Sequence, residues 1–116
     1  MSNENSNQNG QIDYKEFNLI NHIRESCSDI EYQLWTQKPP KLSEPEYVLL
    51  YSQYCELVEK FNKLFQKCIN ETVEITQTDI DQVKSIGNDI KKAEKLQEKL
   101  INIVTLTLKI IEFLKK

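Results

Sequence analysis

The residues of this chain that could do chemistry are three cysteines, one histidine, fifteen basic and eighteen acidic side chains. Cys27, Cys55 and Cys68 are an odd number with no CxxC pair, so their spacing sets up neither a zinc site nor a complete disulfide framework. His22 has no second ligand at helical spacing and reads as a surface residue. No glycine-rich phosphate loop and no nucleophile-base pairing is present, and the carboxylates are spread along solvated faces. Catalysis, cofactor and metal are therefore not expected. Lys109, Lys115 and Lys116 gather near the last residue, where they suit the negative end of a helix dipole better than a phosphate. The net charge of −3 gives no positive field of the size nucleic acid requires, so no nucleic-acid partner is expected. Asn70-Glu71-Thr72 fits a glycosylation sequon, which matters only with secretion. No charged-then-apolar leader and no Arg-rich transit segment is visible, which points to a reducing compartment, cytoplasmic or nuclear.

With chemistry so sparse, the elements carry the reading. Two glycines and three prolines leave little turn chemistry, and 116 residues with 39% hydrophobic content make one all-α domain. Residues 1–11 are polar and read as a disordered tail ahead of a helical domain over residues 12–116. One pattern then recurs three times. Asp13 precedes Glu16, Ser43 precedes Glu46, and Thr76 precedes Asp79, each pair three residues apart with apolar residues before the cap and four after it. A capping oxygen with a reciprocal carboxylate and a hydrophobic staple starts a helix. Three starts predict three long helices, over about residues 13–37, 44–74 and 76–115, forming an antiparallel coiled-coil-like bundle.

In the first helix Ile20, Ile23, Cys27, Ile30 and Leu34 form a three-four seam, with Phe17 and Leu19 beside it. Trp35 closes that helix before Pro39-Pro40. The second has a wide apolar face from Val48 to Ile69, and its aromatic residues Tyr47, Tyr51, Tyr54, Phe61 and Phe65 read as core. Cys27 and Cys68 lie on seams and behave as small buried hydrophobes. Between the second and third helices the β-branched run from Thr72 to Thr78 favours a turn over one continuous rod. The third helix carries uninterrupted heptads: Val83, Ile90, Gln97, Val104 and Ile111, with Ile86, Ala93, Leu100, Thr107 and Leu114. Gly87, beside that seam, marks a close helix crossing or a bend, and the charged residues 91–99 read as a solvated face.

At about 1.5 Å per residue the three helices span roughly 37, 45 and 57 Å. The third is longer than its partners can cover, and from Leu100 onward it is also the most apolar. It is too short and too polar to span a bilayer. Leu100, Val104, Leu108, Ile111 and Leu114 are therefore the expected partner interface. The function this implies is a non-enzymatic scaffold subunit, assembled with other helical subunits or with itself. A membrane-surface role for the amphipathic C-terminus is an alternative, weakened by its few positive charges.

The segment Ser28-Asp29-Ile30-Glu31-Tyr32-Gln33-Leu34 resembles the opening helix of the small second subunits of the Ska spindle-and-kinetochore-associated complex. Pro45, Leu49-Leu50, Leu57, Phe61 and Leu64 are similar to that family's second helix. The resemblance covers residues 17–64, and the last third departs from the family by being longer and more apolar. It implies a scaffold within a W-shaped dimer of three-protein coiled coils that attaches kinetochores to microtubules in mitosis. Contact with the microtubule is then indirect, through partners. Small helical subunits of Mediator or of vesicle-trafficking complexes share the same physical pattern.

Overall fold

The computed structural model describes residues 13–116, so the reading of residues 1–11 as a tail, and the staple residue Ile12, lie outside the described residues. Helix α1 (Tyr14–Thr36) starts where the Asp13 carboxylate accepts the Glu16 amide at 2.9 Å and Glu16 reciprocates toward the Asp13 amide. Helix α2 (Glu44–Asn70) starts on the same reciprocal pair between Ser43 and Glu46, with Pro45 in its first turn. Helix α3 (Gln77–Lys92) starts on Thr76 and Asp79, each bond 3.0 Å. All three expected caps form, and each satisfies amides that the helix itself leaves orphaned.

The expected single third helix does not form. It ends at Lys92, Ala93 turns to an extended conformation, and α4 (Leu96–Leu114) begins without any side-chain cap at Lys95. Side chains from other elements stabilise this break. The Lys99 ammonium donates to the Ala93 carbonyl, the Asn102 amide to Asp89 O at 3.2 Å, and the Gln33 amide of α1 to Ile90 O at 3.1 Å. The Ile90 and Ala93 carbonyls thereby gain donors that an uncapped break would leave them without, and Asp89 O, already accepting the Ala93 amide at 3.0 Å, gains a second. Lys99 and Ala93 are buried here, so residues 91–99 are not wholly a solvated face.

Among the described residues the result is a bundle of four helices rather than three. Arg24 of α1 lies over Phe61 and Phe65 of α2, while Glu31 and Trp35 border Tyr47 and Tyr51. That order makes α1 and α2 an antiparallel hairpin. Contacts of Asp89 with Asn102 and of Asp79 with Lys109 make α3 and α4 another. The hairpins lie face to face in the same sense, α1 on α3 and α2 on α4, with the diagonal pairs apart. Ser26 meets Gly87 and Gln33 meets Ile90 along one parallel pair. Leu49 borders Leu100 and Lys67 reaches Leu114 along the other.

Such stacking requires residues 71–76 to cross the end of the bundle diagonally from α2 to α3. The β-branched residues read as a turn do this work: Val73 and Ile75 are buried in a stretch outside any helix. The Val73 amide, shut away from water, donates at 2.7 Å to the second oxygen of Glu16. One carboxylate thus closes the α1 cap and satisfies the crossing link. An unpaired buried amide there would cost about 1–3 kcal/mol.

Between the layers, Leu19, Ile23, Ile30, Leu50, Leu57, Leu64, Val83, Ile103, Leu106 and Ile110 are fully excluded from water. Each contributes about 1.5–3 kcal/mol by burial. The whole α1 seam is inside as expected, and so are Cys27 and Cys68; Phe17, placed beside that seam, faces solvent. Gly87 marks the close crossing: a Cβ there would lie 2.8 Å from the buried Ser26 Oγ.

Candidate functional site

The break at residues 93–95 frees α4 from the heptad phase of α3. A continuous helix would turn Val104, Thr107, Ile111 and Leu114 inward. The observed inward face is Lys99, Ile103, Leu106, Thr107, Ile110 and Phe113, displaced by about one residue. The reason is area. Ile103, Leu106, Ile110 and Phe113 present a larger apolar face than the heptad set, and burial free energy follows apolar area.

The five expected interface residues consequently divide. Leu100 and Leu114 are partly buried against the core, and Ile111 is also partly buried. Val104 and Leu108 face solvent, 38% and 56% exposed. They are joined by Ile101, 57% exposed, which the heptad reading passed over. Its spacing of three and seven residues from Val104 and Leu108 was the available signal. The correction is one of extent: the apolar residues of α4 are shared between a core face and an outward stripe, not left uncovered at one end.

Grooves flank the stripe on both sides. Toward α2, Leu49, Gln53, Leu100, Ile101, Val104 and Thr105 line one of about 300 Å³. Toward α3, Ile86, Thr105, Leu108 and their polar neighbours Gln82, Ser85 and Glu112 line one of about 450 Å³. Val48 and Leu49 extend the exposed apolar surface onto α2. Tyr51, read from sequence as core, is exposed as well.

The C-terminal end of this surface is pinned. Lys109 and Lys116 reach the two oxygens of Asp79 at 3.5 and 3.4 Å, and Lys67 of α2 donates to Leu114 O at 2.8 Å. Burial alone would raise the Asp79 pKa. Bonds from Thr76 and the fields of Lys116 and Lys109 outweigh it and hold the carboxyl below its ordinary value of 3.8. Two of the three C-terminal lysines are therefore engaged in ties between helices, not simply solvated.

The cysteines and the lone histidine lie away from this surface. Burial, aided by Glu31, pushes the Cys27 thiol up to about 12, and burial with Glu16 does the same to Cys68. Neither is a nucleophile near neutral pH. His22 is half-buried in a polar cleft between α1 and α3, its Nδ1 3.8 Å from Glu25. Among the described residues no group of three His, Cys, Asp or Glu could hold a metal ion, and no helix is long and apolar enough to cross a membrane. Comparison of the chain with protein-family models, with curated proteins and with solved structures finds no match in any of the three.

Proposed function

We propose that this chain is a non-enzymatic assembly subunit that receives a partner helix on the outward stripe of α4. The observation that carries the reading is Ile101, Val104 and Leu108 standing in line between two grooves. An amphipathic helix offers apolar residues at the matching three- and four-residue spacing and covers such a surface. The partner is another helical subunit or a second copy of the chain. The resemblance over residues 17–64, which fall within the α1–α2 hairpin and its loop, supports a finer reading as a Ska-like scaffold. In that reading the chain acts at kinetochores in mitosis, and partners make the microtubule contact. A Mediator-like or vesicle-trafficking subunit would use the same surface, in the nucleus or the cytoplasm respectively.

The test is affinity purification of the tagged chain beside a variant carrying Ile101→Asp, Val104→Asp and Leu108→Asp. Distinct helical chains should co-purify with the parent and be missing from the variant, while circular dichroism of the two stays equal. Equal recovery of the same chains on the variant would refute the docking surface. The identity of the recovered chains separates the kinetochore reading from its alternatives.

A further inference from the structure

At the end of the bundle away from the crossing link, the last turn of α1 and the first turns of α2 enclose a pocket of about 290 Å³. Its lining is unusual for so polar a chain: Trp35, Tyr47, Tyr51 and Tyr54, with Glu31 as the one carboxylate and Lys38 as the one cation. Tyr47 and Tyr54 pack against the core, but Trp35 is 67% exposed and Tyr51 about half exposed. Tyr51 and Tyr54 stack with centroids 6.5 Å apart. The Lys38 ammonium sits 3.8 Å from the centroid of the Trp35 ring, whereas the other cation–ring contacts among the described residues run from 5.1 to 5.8 Å.

An aromatic face carries partial negative charge, and several such faces beside a carboxylate form an environment that attracts a cation without demanding hydrogen bonds from it. Lys38 already uses part of this environment. A primary ammonium is a poor permanent occupant, because it gives up strong hydration and its flexible stem loses freedom. An alkylated ammonium is weakly hydrated and offers methyl surface to the rings.

We propose that the Trp35–Tyr47–Tyr51–Tyr54 pocket binds an alkylated ammonium group, with Lys38 as the internal cation it displaces. The group has two natural sources, a methylated lysine side chain or a choline head group, which share this chemistry. This site is separate from the α4 stripe, and its success or failure is independent of partner docking.

Trp35 is the only tryptophan, so its fluorescence reports on the pocket directly. The full chain is titrated with tetramethylammonium chloride at constant ionic strength held by sodium chloride. A saturable change is expected. Lys38→Ala should tighten binding about threefold by removing the competitor, and Glu31→Gln should weaken it by a similar factor. Both positions are exposed, and circular dichroism checks that each variant keeps its helices. Titrations with a trimethyllysine peptide and with choline then name the source by the tighter of the two. A linear response equal to that of N-acetyltryptophanamide overturns the proposal, as does an affinity unchanged by Lys38→Ala.

Discussion

Two grooves run between parallel neighbours in this bundle, and they differ in almost every chemical respect. Between α1 and α3 the groove is lined by His22, Glu25, Asp29, Lys84, Asn88 and Lys91, and it measures about 120 Å³. It is small because the Gly87 crossing brings the helices together against Ser26. Between α2 and α4 the groove is larger, about 300 Å³, and lined by Leu49, Leu100, Ile101 and Val104. The pairs share an orientation, so side chains and not topology decide their use. One side is finished against water, whereas the other still carries apolar area that a partner can remove from water.

The comparison breaks most visibly inside α4. Ile110→Ala removes a fully buried side chain and should cost about 2–5 kcal/mol in urea unfolding. Leu108→Ala, on the outward stripe two residues away, should stay within about 0.5 kcal/mol. Equal losses at the two positions would mean that α4 has no distinct outer face. On the polar side, Gly87→Leu should cost about 1–3 kcal/mol, because the side chain must force α3 off α1. Adding Ser26→Ala to Gly87→Ala should recover what the close contact alone costs, since it removes the oxygen that a new Cβ meets without placing a glycine inside α1.

A smaller effect comes from the tie between α3 and α4. The Asp79 carboxyl has a lower pKa folded than unfolded, so the unfolded chain binds the extra proton as acid is added. Its contribution is complete above the ordinary value of 3.8 and is lost as pH falls through the folded value. Asp79→Asn should therefore flatten the acid limb of a stability–pH curve and remove its dependence on Lys109 and Lys116. The smallest perturbation is chemical. At mildly alkaline pH a thiol reagent should modify exposed Cys55 quickly and leave Cys27 and Cys68 until the chain unfolds.

What was legible in the sequence was local. Asp13, Ser43 and Thr76 cap helices through residues three positions away, and the α1 seam buries residues that one helical period already groups. The break at residues 93–95 was not legible, because its support comes from elsewhere: Gln33 on α1, with Lys99 and Asn102 six and thirteen residues beyond the carbonyls they bind. Heptads ran through it because strong helix formers on both sides conceal a change of phase. Glu16 shows the same limit. Its capping role follows from Asp13, but its bond to Val73 joins residues 57 apart, and no pattern within one helix announces that. On α4, two of the five residues expected at a partner interface, Val104 and Leu108, are exposed, while Leu100, Ile111 and Leu114 are partly buried. Ile101 was hidden by a register that only the packed bundle corrects.

Under the proposed function α4 divides its apolar residues between a core face and a docking stripe. This division is tested most directly by recovering the tagged chain with and without aspartate at Ile101, Val104 and Leu108 while recording its thermal unfolding. The expected result is an unfolding midpoint nearly unchanged and co-purifying helical partners lost. A collapse of the midpoint would place the stripe in the core, and partners retained on a folded variant would place the interface elsewhere.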